Sequence, residues 1–150
     1  MSSPAHPGRK LFLNLPVENV ARSKAFFASL GFTFNPAFED EQSTCMLVGE
    51  DAFVMLLEHE KFNGFAPLPV ADPRTHVIGL YCFSVDTSEE VDTVTDAAIA
   101  AGGVDHGDPQ DYGFMRSRSF NDLDGHGWQV MWMDPASAAA GPEEYAASQA

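Results

Sequence analysis

Positively charged residues are scarce in this sequence. Its 150 residues include 8 Lys plus Arg and 22 Asp plus Glu, which gives a net charge of −14 at pH 7. Nucleic acids and anionic membrane surfaces would be repelled by such a charge, so neither is expected as a partner. The charge favours a cationic ligand, or it serves only to keep the protein in solution.

Long apolar runs are missing as well. No stretch reaches the roughly 18 to 20 apolar residues that a membrane-spanning helix needs. The first eight residues, Met-Ser-Ser-Pro-Ala-His-Pro-Gly, contain no basic segment followed by an apolar one, so no secretory signal is expected. We therefore expect a cytoplasmic protein without a membrane partner.

The sequence has only two cysteines, and they show no CxxC or CxxH spacing that would indicate a zinc site. Both Cys45 and Cys82 lie in apolar, strand-like runs, which predicts two reduced thiols buried in the core. The sequence also lacks a Ser-His-Asp or Cys-His order, a phosphate-binding glycine loop and an HExxH motif. No cofactor is expected, and the catalytic residues, if there are any, remain unknown.

What the sequence does have is enough apolar character, 45% of its residues, for one domain with a real core. Asn19 is a good N-cap for a helix that Gly31 would end, and Thr87 with Glu90 forms a capping box for a second helix. Alternation and turn residues predict strands before and after each helix. These predicted strands cover residues 11–17, 33–38, 44–48, 52–58, 79–86, 114–120 and 128–133.

The pattern repeats within the chain. Residues 11–18 (Leu-Phe-Leu-Asn-Leu-Pro-Val-Glu) align with residues 79–86 (Gly-Leu-Tyr-Cys-Phe-Ser-Val-Asp), and 53–57 align with 128–132. Two βαβββ units in tandem explain this order, which predicts an α+β fold. The predicted boundaries are 11–58 for the first module, 59–77 for a linker, 78–134 for the second module, and 1–10 and 135–150 for the tails.

The predicted linker is irregular and contains Pro67, Pro69 and Pro73. Connections of this length are uncommon unless they move or cover a site. It is therefore either a lid over a site or a crossover that packs Phe62 and Phe65 on the core.

Two motifs carry a family resemblance. The first helix ends in Phe-Phe-Ala-Ser-Leu-Gly-Phe at residues 26–32, and Asp-Leu-Asp-Gly-His-Gly-Trp-Gln at residues 122–129 forms a turn before the last strand. With the repeat, they resemble the vicinal-oxygen-chelate superfamily, which includes glyoxalases, bleomycin-resistance proteins and extradiol dioxygenases. Phe-Met-Arg-Ser-Arg-Ser-Phe at residues 114–120 is similar to a glyoxalase-like branch of that group.

The resemblance implies two modules with strongly curved mixed sheets that form a cleft, paired in a homodimer that is either module-swapped or side by side. It also implies a metal held by the first and last strands of each module. Here those positions correspond to Phe12, Val54, Leu80 and Gln129. The first three lack a donor atom, and one amide oxygen cannot hold a divalent ion against water, so we expect no metal there.

Residues two apart on a strand share a face, which predicts the residues that line the cleft. This set is Phe12, Asn14, Val54, Leu56, Leu80, Cys82, Gln129 and Met131. Depending on the register, either Ser117 and Ser119 or Arg116 and Arg118 join it, and Tyr112 is a further candidate. Asn14 and Gln129 either orient a ligand or bond to each other, and the two arginines either form ion pairs or capture an anion.

The sequence therefore favours a homodimeric protein that binds a small, largely apolar or cationic molecule. The alternative is a metal-dependent lyase or dioxygenase of the glyoxalase I or extradiol type. An isomerase or lyase that uses Tyr112, His106 or an arginine, and a purely structural or regulatory role, also stay open.

Overall fold

The computed structural model describes residues 3–140. The first module contains β1 (Leu11–Val17), α1 (Val20–Ser29), β2 (Thr33–Phe34), β3 (Ser43–Gly49) and β4 (Ala52–Glu58). A helix, α2 (His59–Phe65), follows it. The second module contains β5 (Leu80–Ser84), α3 (Ser88–Ala100), β6 (Val104–Asp105), β7 (Gln110–Asp111), β8 (Met115–Asn121) and β9 (Gly127–Met133), and α4 (Pro135–Ala140) comes after it.

The two modules share one plan. The first sheet has the strand order β1-β4-β3-β2, and the second has β5-β9-β8-β6 with β7 also paired to β8. In each sheet the first strand runs parallel to the last, β1 to β4 and β5 to β9, and the other pairs are antiparallel. The predicted α+β fold of two βαβββ modules is confirmed.

Each module begins its helix as the sequence indicates. The Asn19 side chain accepts a hydrogen bond from the Arg22 amide at 2.9 Å, and the Thr87 hydroxyl accepts one from the Glu90 amide at 3.3 Å. Both satisfy amides that have no partner inside the helix. Gly31 ends α1 with φ +99°, a conformation that favours glycine.

Aromatic side chains join the modules into one core. Phe27 of α1 contacts Trp128 of β9, with ring centroids 5.2 Å apart, and Phe26 lies 6.2 Å from Phe120. Phe32 packs edge-on against Phe83 at 5.1 Å. Because these residues belong to one cluster of buried side chains, the two modules stabilise each other.

The turn before β9 adds polar contacts across the same interface. Asp124, which is 7% exposed, accepts hydrogen bonds from the Glu18 amide at 2.8 Å and the Ser23 hydroxyl at 3.3 Å. The His126 Nε2 atom lies 2.7 Å from the Pro16 carbonyl oxygen, to which it donates. We call this turn, residues 122–127, the clamp turn, since it ties the second module to the start of α1.

Some expectations need correction. The sheets are not strongly curled. The predicted linker begins with α2, which the sequence hides because Asn63 and Gly64 are poor helix formers. Residues 135–140 of the predicted tail form α4, and the rest of that tail lies outside the described residues.

None of the helices among residues 3–140 is long and apolar enough to cross a membrane.

Candidate functional site

The open face of the second sheet, opposite its helix, carries several predicted site residues. Leu80 pairs with Gly127 and Cys82 with Gln129, so these side chains share a face, and Ser119 joins them opposite Gln129. Leu80 is 82% exposed, which shows how open this face is. Cys82 is exposed as well, so the expectation of a buried thiol holds for Cys45 alone.

On β4 of the first sheet, the residues that face the open side lie one position away from those predicted. Phe12 pairs with Phe53 and Asn14 with Met55, so the open face of β4 carries Phe53 and Met55. Val54 and Leu56, at 2% and 0% exposed, lie in the core instead. The sequence could not settle this point, because β4 is apolar on both faces and its register with β1 is set by tertiary packing.

The register also redefines the family's metal positions. In the second module Gln129 lies two residues beyond Gly127, the partner of Leu80. The equivalent residue in the first module, two beyond the partner of Phe12, is Met55 rather than Val54. The site would then consist of two hydrocarbon side chains, a thioether and an amide. This set does not suit a divalent ion, which prefers carboxylate, imidazole or several oxygen ligands.

The rest of the described chain offers no metal-binding cluster either. Within residues 3–140 no cluster of three or more His, Cys, Asp or Glu side chains is placed to hold a metal ion. We therefore derive no chemistry through a metal.

A groove opens where β5 begins, and we call it the linker groove. It has a volume of about 360 Å³ and lies between the segment 73–79, strands β5 and β9, and the end of β8. Apolar residues from the segment 73–79 and from β5 form much of its wall. They are Pro73, Val77, Ile78, Leu80 and Tyr81, and the buried residues Phe120 and Trp128 border the groove beneath them.

A few polar groups reach the same groove. They include His76, whose Nδ1 lies 2.8 Å from the Thr75 hydroxyl, and Gln129, whose amide nitrogen donates to the Ser117 hydroxyl at 3.3 Å. His106, Ser119 and Asn121 complete this group. Although Cys82 reaches solvent, partial desolvation by the surrounding sheet raises the pKa of its thiol, which keeps it protonated and a poor nucleophile at neutral pH.

The segment 73–79, which forms one wall of the groove, packs against the clamp turn. Gly125 has φ +94°, and a Cβ added there would lie 3.0 Å from the Arg74 backbone. Only glycine permits both this conformation and this approach. Arg74 is in turn held by two hydrogen bonds, each 3.1 Å, to the Asp72 carboxylate. The segment 73–79 therefore forms one wall of the groove, and Arg74 within it lies against Gly125.

Leu80, Cys82, Ser119 and Gln129 are thus the predicted candidates that line the linker groove. Met131 and Ser117 lie farther along the same face, where they pair with each other. Phe12 and Asn14 are on the other sheet. Tyr112 is exposed beyond the groove, where its ring stacks on Phe114.

The two arginines lie on the opposite face of β8. Arg118 contacts Asp92, Asp96 and Asp105 at 3.1, 2.9 and 3.4 Å. Arg116 contacts Asp92 at 2.9 Å and Asp111 at 3.8 Å. Their role is to join α3 to β8 through ion pairs, so Ser117 and Ser119 are the residues that face the open side.

Sequence reasoning missed several residues of the groove. His76, Val77 and Ile78 come from the predicted linker, and His106 and Asn121 come from an acidic loop and a strand end. Periodicity carries no signal for such residues, because only the folded chain brings the linker against β5. The prolines and length of the linker were the sole hint that it covers a site.

Known proteins agree with this architecture. The model for the bleomycin resistance protein-like N-terminal family matches residues 9–49. A hypothetical protein, SA1046, from S. aureus is 25% identical, with a TM-score of 0.70 over 82% of this chain and 92% of that one. The chain therefore has the fold of the vicinal-oxygen-chelate superfamily, and its N-terminal part is similar to a bleomycin resistance protein-like family. The predicted resemblance is thus confirmed.

Two further structures share the fold at lower identity. A glyoxalase/bleomycin resistance protein/dioxygenase family enzyme from Burkholderia phytofirmans PsJN is 18% identical, with a TM-score of 0.67 over 81% of this chain and 96% of that one. The fosfomycin resistance protein FosX from Listeria monocytogenes is 19% identical, with a TM-score of 0.59 over 88% and 91% of the two chains. A sequence comparison with curated proteins finds no match.

Proposed function

We propose that this vicinal-oxygen-chelate protein binds a small, largely apolar molecule in the linker groove, without a metal. The observation that carries the proposal is the groove itself. Its volume of about 360 Å³ suits a small ligand, and its wall combines apolar side chains with a few polar groups. Polar groups so placed would orient the ligand while burial of its apolar part supplies affinity.

The side chains at the family's metal positions support binding rather than chelate chemistry. Phe12, Met55 and Leu80 offer no hard donor beside Gln129. A lyase or dioxygenase of the glyoxalase I or extradiol type would need such donors, so we do not favour the alternative. Elemental mass spectrometry after incubation with Mn²⁺, Fe²⁺, Ni²⁺ and Zn²⁺ is expected to find no stoichiometric ion, and one ion per chain would contradict the proposal.

We further propose that the protein is a cytoplasmic homodimer in which a second copy faces the open sheets. Phe12 stacks on Phe53 with ring centroids 4.7 Å apart, yet Phe12 remains 45% exposed. Leu11 and Leu80 are exposed too. A sheet whose two faces are both apolar needs cover on each, and a second chain is the cover that the family resemblance implies. Sedimentation equilibrium tests this, and a monomer at all concentrations would contradict it.

Ligand binding is best tested by NMR, with amide shifts followed during titration of small aromatic compounds. We expect the largest shifts in the segment 76–82 and at Ser119 and Gln129. A Ser119→Trp variant fills the groove and should abolish these shifts. Ser84→Trp is the matched control, since Ser84 is exposed on the same sheet face but does not line the groove.

Binding that survives Ser119→Trp unchanged, or shifts that map elsewhere, would refute the groove as the site. No response from any compound would remove the support for small-molecule binding altogether.

A further inference from the structure

We infer that the ligand of the linker groove carries an anionic group, with a carboxylate as the simplest case. This inference rests on the proposed function and adds the chemical class of its ligand. It departs from the expectation of a cation, which the net charge of the whole sequence favours. The observations that carry it are the charges and hydrogen-bond donors of the groove wall.

The linker groove has a different charge from the rest of the molecule. Although the chain holds 22 Asp plus Glu, no carboxylate of the described residues lines this groove. Arg74, His76 and His106 do line it, and of these the Arg74 guanidinium is paired with the Asp72 carboxylate while the two imidazoles form no ion pair among residues 3–140. A second, polar pocket on the other side of Arg74 is lined instead by Glu18, Asp72 and Asp124. The segment around Arg74 thus separates an acidic pocket from one that is neutral to basic.

The donors in the groove have capacity to bind an anion. The Thr75 hydroxyl donates to the Asp72 carbonyl at 3.3 Å, so His76 Nδ1, 2.8 Å away, donates to Thr75. The His76 Nε2 atom has no hydrogen-bond partner among residues 3–140, and in the imidazolium form it donates to an anion in the groove. The His106 side chain is also exposed at the groove and has no hydrogen-bond partner among residues 3–140. Hydrogen bonds to an ionised acceptor are roughly twice as strong as neutral ones. A carboxylate would therefore gain more from these rings than a neutral amide would.

The field of the whole protein does not cancel this local preference. Charges more than about 8 Å away are largely screened at physiological ionic strength. The arginines and aspartates on the helix-covered side of β8 also neutralise each other in ion pairs. The charges of the groups that contact the ligand therefore decide whether the groove prefers an anion or a cation. Val77, Ile78 and Leu80 contact the apolar part of the same molecule.

Three probes of one shape test the inference: naphthalene-2-carboxylate, naphthalene-2-carboxamide and 2-naphthylmethylamine. Each is titrated into the full-length protein at pH 7, and binding is followed by amide shifts of groove residues. We expect the carboxylate to bind at least about tenfold more tightly than the amine, with the amide between them. Mapping by shifts separates the groove from any nonspecific binding of the amine to the acidic surface.

A double variant, His76→Gln with His106→Gln, should remove most of the preference for the carboxylate while the amide binds as before. His59→Gln is the matched control, because His59 lines the second pocket and not the groove. An unchanged preference in the double variant would overturn the assignment to these histidines.

The outcomes distinguish this inference from the proposed function. If the amide or the amine binds the groove as tightly as the carboxylate, the anion inference is overturned while small-molecule binding stands. If no probe binds in the groove at up to about 5 mM, both are overturned.

Discussion

Removal of the Asp124 side chain should weaken the whole protein, because this carboxylate joins the two modules. In an Asp124→Ala variant the Glu18 amide loses an ionised acceptor at 2.8 Å, and the Ser23 hydroxyl loses one at 3.3 Å. A hydrogen bond to a charged group contributes about 1.5–3 kcal/mol, and a weaker one about 1 kcal/mol. The Arg22 side chain, which contacts Asp124 at 3.4 Å, is 42% exposed, so we expect this ion pair to contribute no measurable stability.

The expected loss of unfolding free energy is therefore about 2–4 kcal/mol. Urea denaturation measures it, and the midpoint should fall by roughly 1–2 M. Trp128 fluorescence is a suitable signal, because this buried ring contacts Phe27 across the module interface. Circular dichroism followed in parallel shows whether both modules still unfold together.

Two variants control this experiment. Asp124→Asn keeps one acceptor oxygen for the Glu18 amide and should lose less than the alanine variant. Asp51→Ala removes an exposed carboxylate that pairs with Lys10 at 3.2 Å, and it should lose under about 0.5 kcal/mol. A loss below about 1 kcal/mol for Asp124→Ala would refute the reasoning that the clamp turn joins the modules.

Other perturbations test the core, the groove wall and the acid response. Phe27→Ala should cost about 3–5 kcal/mol in urea denaturation, since this ring is 1% exposed, and a loss under about 1.5 kcal/mol would mean that the core adapts to the cavity. Gly125→Ala should cost about 2–4 kcal/mol because of its φ of +94° and the nearby Arg74 backbone, and unchanged stability would show that segment 73–79 shifts freely. The hydrogen bond from Lys61 lowers the pKa of Asp40 from 3.8 to about 2, so its contribution is complete above pH 4 and is lost as the pH falls toward 2. Stability measured between pH 5 and pH 2 should therefore fall less steeply in Asp40→Asn, and identical slopes would contradict the assignment.

The predicted elements follow from local physics. Asn19 and Thr87 cap their helices because a side-chain oxygen next to free amides works in any fold. Strand alternation found β1, β4, β5 and β9, and the turn at residues 122–127 placed β9. The sequence did not predict α2, β6 or β7, because these short elements have too few residues for a periodic signal.

The candidate site was predicted only in part. On the second sheet the predicted face was right for Leu80, Cys82 and Gln129. The polar Gln129 on β9 distinguishes the open face from the apolar face that packs on the helix. On the first sheet Val54 and Leu56 were assigned to the wrong face, because an all-apolar β4 has no such marker. Whether these residues bind a ligand stays a prediction.

The sequence by itself determined the repeat, the ends of α1 and α3 and the order of the longer strands along the chain. These depend on neighbouring residues or on the identity of one side chain. Tertiary structure decided the register of β1 on β4, the exposure of Cys82 and the seat of segment 73–79 on Gly125. Each of these depends on contacts between residues far apart in the chain. The linker groove is of this second kind, because its wall exists only once the connection between the modules lies against β5.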